Sequence, residues 1–367
     1  PQNHNHAETC VVYNMLKLSR NLFFHDPDSK YMNYYEQGLY NHILASRRDV
    51  DSVESPEVTY FIPVRPGERR EYGNEGTCCG GTGLENHTKY QDSVYFRSSA
   101  SDTLYVNLYI PSVLEWKERG FTIEQASQLP YAGASTLTVR GNGRLDVKLR
   151  VPTWVGRGYT VRVNGTPQRI TPVPGQYVTI DRKWRSGDRI DISMPMTFRA
   201  ERTIDSAEVQ SIFYGPTLLG LQSPALGETL ETGLVNVSLY KHYRLTGDFA
   251  SVMKPIDGKP LHFSLDGHVL APFFVSDPQT GETQPYHMYV RRYEPTIVFG
   301  AVDSSVANKR REDGVSFLDA LWSDAPFRDR AHIVAAAERL AGAWRGAGRL
   351  DEQEQRAIVR AARQMAL

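Results

Sequence analysis

The feature that most limits what this chain can fold into is a change of hydrophobic period near residue 103. Before it, Val11, Val12, Met15, Leu16, Leu22 and Phe23 recur at the spacing of one helix face, and His25-Asp26-Pro27 stops the run. After it the period is two, with Leu104, Val106, Leu108 and Ile110 on one side and Tyr105, Asn107 and Tyr109 on the other. Helices first and sheets afterwards put the chain in the α+β class, with more than one domain.

A second helix is expected from about Tyr31 to Ser46, carrying Tyr35, Leu39, Tyr40, Ile43 and Leu44. Thr82-Gly83-Leu84-Glu85 fits a capping box, so a third helix is expected to start at Thr82 and run through Tyr90 and Val94. Between them lies a long loop with Pro56, Pro63 and Pro66, and loops of that length are often functional. Alternating runs then follow at Leu145-Val147-Leu149-Val151, Tyr159-Val161-Val163, Val178-Ile180 and Ile190-Ile192-Met194-Met196, with Asn164-Gly165 as a type I′ hairpin signal. They predict an antiparallel β-sandwich over 101–203 and a second all-β domain over 204–300. Asp303 to Gly314 is polar and charged and reads as a linker. The Ala-, Arg-, Glu- and Gln-rich tail from about His332 to Leu367 reads as a solvated helical hairpin broken near Gly346 and Gly348, so that 301–367 is linker and helical tail.

The 367 residues are 40% hydrophobic, enough for sizeable cores. Forty-two basic side chains balance forty-two acidic ones, so no net field favours nucleic acid or an anionic membrane, and a neutral molecule or sugar is the easier partner. No apolar run approaches the ~20 residues of a membrane span, and Pro1 to Ala7 lack the order of a signal peptide. Localisation stays open between cytoplasm and secretion. Three cysteines, two of them adjacent, make a poor disulfide framework.

Those cysteines are the chemically informative residues. Glu8-Thr9-Cys10 and Cys78-Cys79, the latter between Gly76 and Gly80-Gly81, offer three sulfurs and one carboxylate, which is the ligand number of tetrahedral zinc. Glu8 and Cys10 would diverge on a regular helix, so they are expected at an irregular helix entry. Cys78 and Cys79 likewise call for a bent backbone that the glycines permit. On spacing alone, three ordinary buried thiols are an equal reading. Glu36 shares a helix face with Tyr40 and Ile43 and needs a partner there, or else is a surface glutamate. His4, His6, His42 and His87 are candidate ligands or sugar contacts, though a lone histidine is more often structural.

In order along the chain, His6-Ala7-Glu8-Thr9-Cys10, Tyr35-Glu36-Gln37-Gly38-Leu39-Tyr40-Asn41 and Cys78-Cys79-Gly80-Gly81-Thr82-Gly83-Leu84-Glu85-Asn86-His87 resemble glycoside hydrolase family 127. The resemblance continues through Val151-Pro152-Thr153-Trp154, Val163-Asn164-Gly165 and the segment from Trp184 to Met196, and spans roughly 4–225. It implies the C-terminal part of an (α/α)6 barrel over 1–100, followed by β-sandwich domains, and a retaining hydrolase that releases terminal β-L-arabinofuranose from plant-type glycans. It also implies Zn2+ held by Glu8, Cys10, Cys78 and Cys79, with Cys78 the nucleophile and Glu36, Tyr60 and His87 on the sugar. The general acid/base of the family is a glutamate upstream of the Glu-Thr-Cys motif. An N-terminal barrel segment would therefore have to be supplied from outside these residues. The competing reading is a non-catalytic carbohydrate-binding protein with a structural zinc.

Overall fold

The computed structural model describes residues 7–365 apart from 49–56, 65–66, 74–75, 99–100, 203–208, 225–252, 266, 278–279, 292–295, 300–301, 323, 325–326 and 328. His4, His6, Pro56 and Pro66 lie outside the described residues. The chain forms two compact units, one of Pro1–Arg199, Ile212–Pro224 and Pro255–Met288, the other of Ala200–Ser211, Ala225–Lys254 and Tyr289–Leu367.

The first unit begins with strand β1 (Ala7–Glu8), helix α1 (Thr9–His25) and helix α2 (Ser29–Gly38). A π-helical turn over Leu39–Ile43 then leads into α3 (Leu44–Ser46), so the expected second helix is one continuous rod with a widened turn inside it. Gly38 lets the rods approach closely: a Cβ there would stand 2.9 Å from Leu16. Tyr13, Leu16, Phe23, Met32, Tyr35, Leu39, Ile43 and Val94 share one apolar core, so the faces of Tyr35, Leu39 and Val94 are covered by this chain itself.

After β2 (Phe61–Ile62), the third helix differs from expectation. It is α4 (Cys78–Asn86), begins four residues before Thr82 and stops short of Tyr90. Thr77 outcompetes Thr82 as the cap, its side chain accepting from the Gly80 N–H at 3.0 Å. Thr82 instead donates back to the Cys78 carbonyl at 3.1 Å, as a hydroxyl inside a helix does.

Beyond it, β3 (Tyr95–Arg97), β4 (Thr103–Val106), β5 (Ser112–Trp116), β6 (Phe121–Ser127), β7 (Ala134–Arg140), β8 (Gly143–Val151), β9 (Thr160–Val163), β10 (Thr166–Pro167), β11 (Gln176–Trp184) and β12 (Arg189–Ser193) make two sheets. The six-stranded one runs β10-β9-β12-β7-β6-β5 and the four-stranded one β11-β8-β4-β3. Asn164 and Gly165 take φ of 51° and 78° in the hairpin between β9 and the short β10. Residues alternating inward from both sheets, among them Leu137, Val139, Leu145, Val147, Leu149, Ile190 and Trp184, form one core. The strand expected through Ile110 ends at Val106, and the run expected through Met196 ends at Ser193. Tyr109 is buried in the core between the sheets, its hydroxyl donating to the Arg150 carbonyl at 2.5 Å, while Asn107, also buried, belongs to a polar network that includes Arg150.

That network fastens the helices to the sheet. Period two points Arg150 away from the sheet-to-sheet core toward α2, where its guanidinium pairs with Glu36 and donates to Asn33 Oδ1 and the Asn107 carbonyl, both at 2.6 Å. Trp154 Nε1 donates to the other Glu36 oxygen at 2.7 Å. The remaining described strands of this unit include Thr217–Gln222, Phe263–Leu265, His268–Pro272 and Tyr286–His287.

In the second unit, Val302–Ala307 is a strand paired antiparallel with Thr296–Phe299, which corrects the linker expected from Asp303. Asp303 and Ser305 face outward and are polar, so composition alone reads as linker, while Ser304 and Val306 turn inward. Helices Phe317–Trp322, Arg330–Gly346 and Glu352–Gln364 close a core around Phe317, Trp344 and Ile358. The helical tail thus packs, and its break lies where Gly348 takes φ +70°.

Removing one partner from a buried pair leaves an uncompensated charge at a cost of about 3–5 kcal/mol. Arg150→Ala is therefore expected to lose roughly that much stability in urea denaturation, with much of it restored by combining Arg150→Met with Glu36→Gln. A single-variant loss below about 1 kcal/mol would show the pair to be incidental.

Candidate functional site: a three-cysteine, one-carboxylate group

Two strands and two helix starts build the site. Glu8 pairs with Phe61 across β1 and β2, and the Thr9 N–H donates to the Tyr60 carbonyl at 3.2 Å. Glu8 is extended, at φ −78° and ψ 129°, and Cys10 stands in the first turn of α1. This change of backbone between them turns both side chains to one side, which the irregular helix entry expected from the sequence requires. Thr9 points the other way, buried, its hydroxyl donating to the Thr59 carbonyl at 3.1 Å and 3.4 Å from His42 Nε2.

Cys78 and Cys79 are the first two residues of α4 and are helical, so no bend falls between them; the unusual dihedral lies before them, at Gly76 with φ +76°. Adjacent helical residues project about 100° apart, which leaves Cys78 exposed and Cys79 buried while both sulfurs face β1 and α1. Gly83, one turn on, sits against Val58, where a Cβ would stand 2.7 Å from Cγ1, and this seats α4 closely.

The Cys10 and Cys79 sulfurs are 3.0 Å apart, and Glu8 Oε1 lies 3.9 Å from Cys78 Sγ and 4.0 Å from Cys79 Sγ. All four ligand atoms fall within 4.8 Å of one another, so Glu8, Cys10, Cys78 and Cys79 form a group that can hold a metal ion. Zn–S bonds of 2.3 Å in a tetrahedron put neighbouring sulfurs about 3.8 Å apart, close to the spread seen here once Cys10 and Cys79 separate. Thiolate-rich sets select soft or borderline cations over magnesium or calcium.

The sulfurs are not equivalent. The Tyr60 hydroxyl lies 3.3 Å from Cys78 Sγ, and its hydrogen bond to the thiolate, together with the neighbouring Cys10 thiol, draws the Cys78 pKa below that of an ordinary thiol. A position at a helix N-terminus acts in the same direction. Burial pushes Cys79 up to about 12, so without an ion it keeps its proton. Cys78 is therefore both the accessible sulfur and more easily ionised than Cys79.

The other predicted residues are distributed as follows. Tyr60 is at the group. Glu36 is buried at 2% exposure with its two oxygens on Arg150 and Trp154. His87 has Nδ1 2.6 Å from the Tyr90 hydroxyl and Nε2 3.4 Å from Ser46 Oγ, and burial lowers it to about 4, as it does His42. Sequence reasoning missed Thr77 as the cap that orients the cysteines, Thr9 as the anchor of Tyr60, and Arg150 as the partner of Glu36. The signal for Thr77 was present in its place just before Cys78; Arg150 carried none, since a basic residue in an alternating strand reads as solvent-facing.

Two outcomes follow from this geometry. Freshly purified, unchelated protein is expected to carry about one zinc per chain by elemental analysis, reduced in Cys79→Ser; protein without zinc would remove the metal reading. In reduced, metal-free protein, Tyr60→Phe is expected to raise the Cys78 pKa and slow its alkylation at neutral pH severalfold, and an unchanged rate would mean the hydroxyl does not bear on the thiolate.

Residues 1–92 match the model of the β-L-arabinofuranosidase GH127 catalytic domain, and residues 103–196 that of the GH127 middle domain. No curated protein matches the chain. Among solved structures it is similar to a glycoside hydrolase at 19% identity and TM-score 0.61, covering 79% of this chain and 52% of that one. It is also similar to a GH127 β-L-arabinofuranosidase from Geobacillus stearothermophilus T6 at 19% identity and TM-score 0.58, covering 80% and 51%. A third, a GH127 β-arabinofuranosidase, aligns at 19% identity and TM-score 0.56, covering 78% and 50%. The chain spans about half the length of these structures, and the two matched ranges, the first of which holds all four members of the group, place it in glycoside hydrolase family 127.

Proposed function

We propose that this chain carries the nucleophile side of a retaining glycoside hydrolase that releases terminal β-L-arabinofuranose, with Cys78 as nucleophile. The observation that carries the reading is the contrast among the sulfurs: Cys78 alone is exposed, and it has the Tyr60 hydroxyl beside it. Bound zinc would supply a standing positive charge that keeps its thiol ligands deprotonated. In this reading Glu8, Cys10, Cys78 and Cys79 would hold the ion. The Cys78 thiolate attacks the anomeric carbon, a carbon–sulfur bond forms, and the glycosidic carbon–oxygen bond breaks as the leaving oxygen takes a proton from a general acid. Water then replaces sulfur at the same carbon, giving the free sugar with two inversions and hence net retention.

Of the expected sugar contacts, Tyr60 already stands beside the sulfur. Glu36 reaches a hydroxyl only by sharing oxygens now held by Arg150 and Trp154, and His87 only by releasing Ser46 or Tyr90. The general acid, by the family resemblance, is a glutamate upstream of Glu8, and a further helical segment carrying it is part of the proposal. An apolar stripe on α1 supports that segment: Val11, Met15, Leu18 and Leu22 recur at intervals of four, three and four residues and are 55%, 40%, 46% and 38% exposed. Within this reading 1–100 belong to the barrel and 101–203 to a β-sandwich.

In the natural full-length protein, a mechanism-based arabinofuranosyl electrophile is expected to add one sugar mass to the peptide containing Cys78. Cys78→Asp should retain much of its metal yet lose several orders of magnitude in turnover, because a carboxylate on a different arm misses the ~3–3.5 Å attack distance. Cys79→Asp should lose activity in proportion to metal. Labelling at Cys79, Cys10 or a carboxylate would overturn the nucleophile while leaving the metal group standing; glycan binding with no product release would favour a carbohydrate-binding protein.

A further inference from the structure

Thr82 is offered by the sequence as a helix cap, but the fold does not use it as one, because Thr77 holds that place. Its hydroxyl instead meets three groups. Oγ1 lies 3.1 Å from the Cys78 carbonyl, 3.3 Å from the Cys79 carbonyl and 3.2 Å from Cys10 Sγ. The two carbonyls belong to its own helix, about one turn back, whereas the sulfur belongs to α1. One oxygen therefore touches the backbone of both α4 cysteines and the side chain of the third.

A hydroxyl has one proton to give and two lone pairs that accept. With the proton on the Cys78 carbonyl, a lone pair remains toward Cys10, and the Cys10 thiol can fill it as donor. A sulfur that binds a metal ion has given up its proton and can only accept. The 3.2 Å contact is then satisfied only if Thr82 turns its own proton from the carbonyl to the sulfur. That is a rotation about one carbon–oxygen bond, with no heavy atom displaced. The carbonyl so released still accepts from the helix N–H one turn on.

The value of such a donor lies in charge. Three thiolates and a carboxylate set four negative charges against the two of a divalent ion, which leaves an excess on the sulfurs. Hydrogen bonds to ionised acceptors are about twice as strong as neutral ones, and groups that hold metal ligands in this way orient them as well. Cys78 has the Tyr60 hydroxyl at 3.3 Å for this purpose. Cys10 has Thr82.

We propose that Thr82 is a positioning residue of the metal group: its hydroxyl reverses direction when the ion binds, donates to the Cys10 thiolate, and so ties the first turn of α1 to α4. The proton that Cys10 gives up passes to solvent, and no covalent bond other than its S–H is broken. The assignment rests on the metal reading of the four ligands and is independent of hydrolysis.

The test compares wild type, Thr82→Val and Thr82→Ser in the natural full-length protein. Zinc affinity is measured by competition with a chromophoric chelator, and the sulfur-to-cobalt charge-transfer band is recorded at saturating cobalt. Valine keeps the shape of threonine, and removing a hydroxyl that bonds back along its own helix does not strain that helix. The melting temperature of the chelated variants checks this. Thr82→Val is expected to weaken zinc binding by about 10–100-fold, while Thr82→Ser stays within about threefold of wild type. The cobalt band should move to longer wavelength in Thr82→Val alone, because a hydrogen bond lowers the energy of the sulfur electrons that the transition promotes. Zinc affinity within about twofold of wild type and an unshifted band in Thr82→Val would overturn the proposal. Equal weakening in both variants without a band shift would overturn it too, since packing and not the hydroxyl would then be responsible. If Thr82→Val lowers the melting temperature of the chelated protein, the band position decides. A wild type that takes up neither zinc nor cobalt would remove the metal reading and this assignment together.

Discussion

The buried pair of Arg150 and Glu36 is the interaction on which the arrangement of the first unit depends. A guanidinium at 0% and a carboxylate at 3% side-chain exposure are costly to bury, and that cost is offset only because nearly every donor and acceptor is used. Arg150 reaches Glu36, Asn33 and the Asn107 carbonyl, and Trp154 closes the other side of the carboxylate. The contacts join α2 to β8, to the irregular chain after β4 and to the turn after β8. Hydrophobic burial would hold a helix against a sheet in several registers, whereas this set of directional bonds is satisfied in one. The position of α2 in turn sets that of the π turn, where Asn41 donates to the Pro216 carbonyl at 2.9 Å and accepts from the Leu218 N–H at 2.7 Å.

The cysteine group is assembled by more local means. Antiparallel pairing of β1 with β2 sets Glu8 and Tyr60 side by side, the start of α1 swings Cys10 round, and the Thr77 cap starts α4 so that its first turn presents both sulfurs. Each of these devices also sets a difference. One sulfur faces outward at a helix N-terminus with a hydroxyl beside it; another is shut in, where burial favours the protonated thiol. Cys78 and Cys79, two identical thiols, thereby acquire distinct chemical characters, one from the hydroxyl beside it and the other from burial.

The histidines illustrate how context decides between two roles for one side chain. His42 and His87 are drawn into the interior, lowered to about 4 by burial, and thus neutral at physiological pH. Neutral imidazoles serve as uncharged hydrogen-bonding struts, His42 toward Thr9 and His87 between Ser46 and Tyr90.

What the sequence by itself determined is the part that rests on short-range rules. Period and stop signals place α1, the rod from α2 to α3, most strands and the hairpin at Asn164-Gly165, because these depend on spacing and on φ preferences of neighbouring residues. Glu8, Cys10, Cys78 and Cys79 matched zinc by ligand number, with three buried thiols an equal reading on spacing alone, and the family resemblance named them as ligands and pointed to Tyr60. Only the tertiary structure decided which cap starts α4, since Thr77 and Thr82 are both acceptable locally and the winner is the one whose helix brings Cys79 against Cys10. It likewise decided that Arg150 points into the protein and that Val302–Ala307 is a strand, because composition reports what a side chain prefers and packing determines which face is covered. The tie between Gly67 and Glu68 and strand Tyr286–His287 belongs to the same class: its partners lie more than two hundred residues apart, and no local pattern can encode a contact of that range.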